Sequence, residues 1–460
     1  MDGVLADGLI SLGTVRAATN TAAITTLVEE RILPGTGWRA LEVRRRGVRL
    51  EPPEAYWAVY RIRITPEGAA TEEGGEERDL RLVVRAVFDR DTWLAYSARL
   101  RRKFGEQPCR PVDGLGHPIL FDDSQHAVWF YPVDPNLPGL VRCADPAYMR
   151  RLFRQSKHEL LERWGRIHDV QVTRARYLPE ISAILRYDIE TVPESASRTV
   201  FGKVQRAGRN DLAVSLLKQV WDASLHSEGA LQVPRPLAYW ADLGIFLQSA
   251  APGEAVGSDR SAEVFLPAAE AAAEALAVIH EMDVDLDLPD MPVEHELERL
   301  DTVVTQFILT HPPAHLMLRD LLERIRLRLD RTRDEDVLPT HGDLKYDQLI
   351  HNEGSFSIID FDYFGQAETS YDLGKFCAHL VPSQPKGWED SYAAEQARTI
   401  FLDTYRRARP HATLDRFPIY EAINLANRSM TLMWSQSPGW ELAAETMLVL
   451  ALERLNTPLP

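Results

Sequence analysis

HGDLKYDQLI, residues 341–350, sets a carboxylate, Asp343, directly after a His-Gly pair and an amide, Gln348, a short way beyond it. Downstream, GSFSIIDFD (354–362) reads as the second arm of a hairpin with Asn352-Glu353-Gly354 as its turn, and it delivers Asp360 at the end of an apolar strand. Two carboxylates, each presented at a loop edge beside apolar residues, suit a metal–nucleotide site, because Mg²⁺ takes hard oxygen ligands and lets substrate phosphates complete its octahedron. Phosphoryl transfer also needs a group that orients the attacking hydroxyl and a cation on the phosphates. Lys345 stands two residues past Asp343 and is placed to meet charge developing on a transferring group; its plainer reading is a solvated loop lysine. Asp347 and Asp362 lie close enough in sequence to assist.

Elements must hold these residues in place. Residues 1–35 read as helix up to the Pro34–Gly37 break, and YWAVYRIRIT (56–65) and DLRLVVRAVF (79–88) read as strands around an acidic loop, 66–78. A basic helix is expected over 145–168. Strand signals return at 173–190 and 198–205, a helix follows at 209–224, and 232–254 reads as strand, turn and strand. The two stretches share one order: three strands, a helix, two strands and a Pro-Gly break. This is read as a degenerate internal duplication, against the alternative of two unrelated β-rich segments, and it sets Arg85 opposite Lys203. From 261 onward the texture is helical, with helices expected at 261–283, 316–333 and over most of 371–455, interrupted by the loop-rich acidic segment around Asp343.

HGDLKYDQ, then IIDFD, then YDLGKF resembles the catalytic block of the aminoglycoside phosphotransferase and choline kinase-like family, on the protein-kinase-like fold. Upstream, TVFGKVQ, VPRPLAYW, FLQSAAPGE and ALAVIHEMD fall in that family's order, so the resemblance covers roughly 170–385. It implies an α+β, two-lobed chain: an antiparallel-sheet N-lobe at 166–252, a helical C-lobe at 253–460, and an extra N-terminal α+β domain at 1–165, read as the degenerate N-lobe copy. It implies that Asp343 accepts the substrate hydroxyl proton, that Asp360 binds metal, that Lys203 holds the α- and β-phosphates and that Gln248 borders the nucleotide. Gln348 stands where the family has Asn as a second metal ligand, and His341, Asp362 and Asp372 support the loops. ATP or GTP, with Mg²⁺ or Mn²⁺, and a small hydroxyl-bearing acceptor such as a sugar, aminoglycoside or amino alcohol follow from the same resemblance.

The chain also departs from that pattern. Gln348 keeps the amide oxygen but moves it by ~1.5 Å, so it ligates after a backbone shift, through water, or not at all. The loop ETVPESAS lacks the glycine that favours a phosphate-cradling backbone. No Glu follows Lys203 on the next helix, which leaves Asp211 and Asp222 as acidic partners. His341 and His280 read as packing residues. His311 and His315 flank Pro312-Pro313, which argues against one shared zinc-binding face. SMTLMWSQSPGW (429–440) reads as core before substrate wall.

A chain of 460 residues exceeds one ordinary core. Its net charge of −16 opposes nucleic acid or anionic lipid as a general partner. No apolar run reaches the ~18 residues of a membrane span, no basic residue precedes Arg16, and the dispersed Cys109, Cys143 and Cys377 suit a reducing cytoplasm. The reading is therefore a cytoplasmic small-molecule kinase. The alternative is a pseudokinase-like nucleotide-binding or regulatory module, motivated by Gln348. A protein kinase is disfavoured because too little chain separates IDFD from YDLG for an activation segment. HGD occurs once, so 36–140 is not a second kinase; a cap, a dimerisation element for a homodimer or a substrate-selecting element are its open roles.

Overall fold

The computed structural model describes residues 20–51, 55–67, 77–105, 118–155, 166–192, 198–206, 210–257, 262–382, 391–435 and 437–457. The expectations for the loops at 68–76 and 193–197, for Cys109 and for the side chain of Asp211 lie outside these. The chain forms two compact units, Met1–Gly208 with Tyr239–Phe246, and Arg209–Ala238 with Leu247–Pro460.

The first unit opens with α1 (Thr21–Leu27), which runs into a wider π turn over Val28–Ile32. Strands β1 (Trp38–Glu51), β2 (Ala55–Pro66), β3 (Arg78–Val87), β4 (Ile119–Phe121) and β5 (His126–Phe130) make a sheet ordered β1-β2-β3-β5-β4, antiparallel throughout. Between β3 and β4 lies α2 (Arg90–Phe104), started by Asp89, whose carboxylate accepts the Thr92 N–H at 2.7 Å, and ended on three basic residues that complement the helix dipole. Short α3 (Leu140–Cys143) and α4 (Pro146–Gln155) lead to β6 (Arg166–Leu178), β7 (Ser182–Val192) and β8 (Arg198–Gln205). With β9 (Pro236–Trp240) and β10 (Ile245–Ser249) these form a second sheet, ordered β6-β7-β8-β10-β9.

The two sheets have the same strand order, and the likeness reaches finer detail. Each opening strand carries two register shifts, between Ala40/Glu42 and Arg45/Gly47 in β1 and between Ile167/Asp169 and Arg174/Arg176 in β6. Arg85 and Lys203 each stand two residues before the end of the third strand. The basic helix expected to reach 168 does not: β6 already begins at Arg166, because Arg166 and Ile167 pair with Val192 and Thr191.

Arg85 is not solvated. Its guanidinium donates to Glu180 at 2.7 Å, and Tyr96 and Asn136 donate to the same carboxylate at 3.1 and 3.2 Å. Asp134 accepts from the Tyr177 hydroxyl at 2.7 Å and from the Glu180 N–H at 2.8 Å, while Trp129 donates to Tyr177 at 3.0 Å. Burial pushes both the Asp134 and Glu180 carboxyls up from their ordinary range. The β6–β7 turn, with Glu180 in the left-handed region at φ 61°, is thus fastened to the face of the first sheet.

The second unit contains α5 (Asn210–Ser224), a three-stranded sheet β11-β13-β14, and a two-stranded ladder β12-β15. These strands are β11 (Glu254–Ala255), β12 (Val337–Thr340), β13 (Leu349–Asn352), β14 (Ser355–Ile358) and β15 (Gly365–Glu368). Around them lie α6 (Ala262–Ile279), α7 (Val293–Thr310), α8 (Pro312–Leu329), α9 (Ser370–Leu380), α10 (Ser391–Ala408), α11 (Phe417–Ser435) and α12 (Trp440–Asn456). Pro312 and Pro313 do not break a helix but start α8, as the first helical turn needs no donor there. His311 and His315 then take separate partners, Glu445 at 2.8 Å and the Val304 carbonyl at 2.9 Å. Ser429, Met430, Met433 and Trp440 are buried, in keeping with core. Cys143 and Cys377 are free and buried, and no described helix is long and apolar enough to cross a membrane.

Behind the β12-β15 ladder, Glu335 accepts from the Ser370 N–H and hydroxyl and from the Arg416 N–H at 2.9, 2.8 and 2.7 Å. Burial nevertheless pushes its carboxyl up to about 7, with Glu368 adding to the shift. The folded chain therefore binds a proton that the unfolded chain releases at lower pH. Stability from this group is full below the ordinary carboxylate range and is lost as pH rises through about 7. Melting curves between acid and mildly alkaline pH are expected to show that decline in the wild type and a flatter profile in Glu335→Gln.

Candidate active site

Three loop edges of the second unit meet at Asp343. The first is the segment between β12 and β13, whose backbone is pinned from below. Asp372, fully buried near the start of α9, accepts the His341 N–H at 2.7 Å and the Gly342 N–H at 2.9 Å. His280 stands 3.5 Å from the same carboxylate and 2.7 Å from the Tyr405 hydroxyl. Gly342 has φ +80°, and a Cβ there would lie 2.0 Å from the Tyr363 carbonyl oxygen, so only glycine passes. Leu344 and Leu349, both fully buried, anchor the loop on either side of the polar residues.

The second edge follows β14. The β13–β14 turn is Glu353-Gly354, both at positive φ, as a tight two-residue hairpin demands. Ile359 donates to the Gln348 carbonyl at 3.1 Å, which fixes the start of IIDFD against the first loop. Asp360 follows at φ 73°, in the left-handed region that Asp tolerates better than most residues. The His341 ring packs 4.6 Å from that of Phe361. Burial holds the His341 imidazole below its usual range, so it stays neutral. Asp362 is exposed.

The third edge is α9. Lys375 sends its ammonium to Asp343 Oδ1 at 3.0 Å and to the Gly342 carbonyl at 3.1 Å. Lys345 reaches Asp343 Oδ2 at 2.7 Å, and the Gln348 amide nitrogen stands 3.4 Å from the same oxygen. Burial raises the Asp343 carboxyl, but Lys375 and then Lys345 outweigh it and hold the group below the usual carboxylate range. Asp343 is an oriented anion.

Of the residues singled out in the sequence, the structure brings Lys345 and Gln348 to the Asp343 carboxylate, sets His341 and Asp372 beneath the same loop, and leaves Asp360 on the neighbouring loop. Lys203 lies on β8 in the first unit, paired across the strand with Ile184, and Gln248 lies on β10. Gln348 accepts the Lys345 N–H through its amide oxygen at 3.0 Å, so the amide braces its own loop. Lys375 was not anticipated. Its signal was present in YDLGKF: it follows Asp372 by one helical turn, and residues so spaced share a helix face.

Among the described residues no group of three or more His, Cys, Asp or Glu is placed to hold a metal ion. Asp360 is an oxygen donor of the kind a hard divalent cation takes.

Residues 196–411 match the model of the phosphotransferase enzyme family. The match runs from the start of β8 through the loops of Asp343 and Asp360 and α9 into the region after α10. No curated protein is significantly similar in sequence. Among solved structures, the chain is similar to a choline/ethanolamine kinase family protein from Mesorhizobium loti at 14% identity and TM-score 0.46, over 68% of this chain and 95% of that one. It is similar to an amicoumacin kinase solved in complex with AMP-PNP, Ca²⁺ and Ami at 15% identity and TM-score 0.44, over 66% of this chain and 96% of that one. A choline kinase from Streptococcus pneumoniae aligns at 13% identity and TM-score 0.43, over 66% and 99%.

Proposed function

We propose that this chain transfers the γ-phosphoryl group of ATP or GTP to a hydroxyl of a small molecule, such as a sugar, an aminoglycoside or an amino alcohol. The observation that carries the reading is the Asp343 carboxylate, half-buried, held below the usual carboxylate range and gripped by Lys345 at 2.7 Å and Lys375 at 3.0 Å. An anion held in this way orients an acceptor hydroxyl and takes its proton as the bond to phosphorus forms. The paired ammonium groups supply positive charge for a transferring phosphoryl group, and Lys345, the more exposed of the two, is the one free to turn toward it. Lys203 holds the nucleotide phosphates in this reading, and Gln248 borders the nucleotide.

Asp360, with Gln348 as a second donor, would hold Mg²⁺ or Mn²⁺, which when bound neutralises phosphate charge. The Gln348 oxygen already serves the Lys345 N–H, and that bond favours a second reading, a nucleotide-binding module with little turnover.

Nucleotide turnover with Mg²⁺ or Mn²⁺, measured across a panel of hydroxyl acceptors, separates the two. Asp343→Ala is expected to lower kcat by at least ~100-fold, a loss typical of removing a positioned acid–base group, with nucleotide affinity retained. Metal-dependent binding without turnover for any acceptor would leave the module. In Gln348→Asn, a gain in metal affinity would mean that the longer amide weakens the natural site.

A further inference from the structure

We propose that Arg81, Arg174 and Tyr131, with Arg46 at the rim, form a binding site for a small phosphate-bearing anion within the first unit. The placement follows from the register of the first sheet. Arg44 pairs with Arg61 and Arg61 with Arg81, so three arginines stand in one cross-strand row on one face. The Tyr131 N–H donates to the Arg81 carbonyl at 3.0 Å and continues the row, and the Arg174 guanidinium lies 4.8 Å over the Tyr131 ring. Arg46 is the bulged residue of β1, between the pairs Arg45–Tyr60 and Gly47–Val59.

Part of this charge is neutralised. Arg61 takes Asp79 in a two-pronged grip at 2.8 and 2.6 Å, Arg63 reaches Glu42 at 3.2 Å, and Arg44 pairs with Glu42 as well. Among the described residues no carboxylate pairs with Arg81, Arg174 or Arg46. Arg81 is half-buried, and burial together with Arg174 and Arg46 drives its pKa down. Burial raises the Tyr131 phenol to about 12, so its hydroxyl stays a donor.

The sister sheet shows what the same places look like when they are self-sufficient. The row matching Arg44, Arg61 and Arg81 is Gln171, Asp188 and Thr199. There Asp188 accepts from Thr199 at 2.7 Å and from Arg186 at 3.0 Å, and no surplus charge is left. The first sheet instead gathers like charges at partly buried positions, in a chain whose net charge is −16. Such an arrangement costs stability unless an anion answers it. Guanidinium forks with a phenol donor match the several acceptor oxygens of a phosphate. At the other end of the same face, Glu180 already fills that role for Arg85.

The test is a titration of the full chain with inorganic pyrophosphate at constant ionic strength, read by calorimetry and by Tm, with citrate as a second probe. Wild type is expected to bind pyrophosphate saturably and more tightly than citrate. Arg81→Met and Arg174→Met are each expected to weaken binding by about tenfold or more, as loss of a charged hydrogen bond does. Their anion-free Tm should be unchanged or higher, because repulsion is relieved, and Lys203→Met should leave the binding intact. Absence of saturable binding, equal binding of citrate, or binding that survives in Arg81→Met but vanishes in Lys203→Met would overturn the proposal.

Discussion

Alanine at position 342 is expected to remove turnover while alanine at position 354 leaves it, although both glycines have φ between +80° and +87°. Adopting a left-handed backbone costs an L-residue about 1–2 kcal/mol, and both variants bear that. Only at 342 does the new methyl meet backbone, the Tyr363 carbonyl oxygen at 2.0 Å, whereas nothing lies within 4 Å at 354. No side-chain rotation relieves a contact between two main chains. Either the loop of Asp343 or that of Asp360 must shift by about an ångström, and a misplacement of that size costs about 100-fold in rate. The shift would also disturb the N–H that Asp372 accepts and the carbonyl that Lys375 holds, both of which belong to Gly342. Steady-state kcat and Tm of Gly342→Ala and Gly354→Ala check this. Equal rates for the two would mean that the loops accommodate the methyl.

The same residues explain what was legible beforehand. HGDLKYDQ and IIDFD are short stretches whose chemistry is contiguous, so residue type and spacing were enough to single out Asp343 and Asp360 as candidates. The order of elements along both β-rich stretches was legible because alternation and turn residues repeat in the same sequence, whereas the strand order within each sheet was not. Lys375 was harder to see, since its approach to Asp343 depends on how α9 is docked and not on distance along the chain. Arg85 was read as a counterpart of Lys203, yet its partner, Glu180, comes from a turn of the other sheet, and no local pattern announces such a pairing. The start of β6 at Arg166 was missed because cross-strand pairing overrode a basic stretch with helical character. That Pro312 and Pro313 begin α8 was not legible, because the role of a proline depends on whether it falls first or later in a helix.

Beside α9 lies a buried ion pair. Arg398 on α10 grips Glu421 on α11 with two hydrogen bonds of 2.7 Å, and Glu421 is only 1% exposed. Glu421→Ala should destabilise the chain by about 3–5 kcal/mol, because the guanidinium is left buried without its carboxylate. Arg324→Ala removes one partner of an exposed pair with Asp320 and should cost no more than about 0.5 kcal/mol. Replacing Arg398 and Glu421 together with Met and Leu should recover most of the loss, since the desolvation of both charges disappears with them. Denaturant unfolding of the wild type and these three variants would measure this. The pair also bears on the site: a Cβ on Gly374 would lie 2.6 Å from the Glu421 N–H nitrogen, so α9 and α11 touch main chain to main chain beside Lys375. If stability alone is at stake, the double variant regains turnover along with its folding free energy. If the pair also sets the seat of α9, the double variant folds but stays slow, because Lys375 no longer meets Asp343 at its native distance.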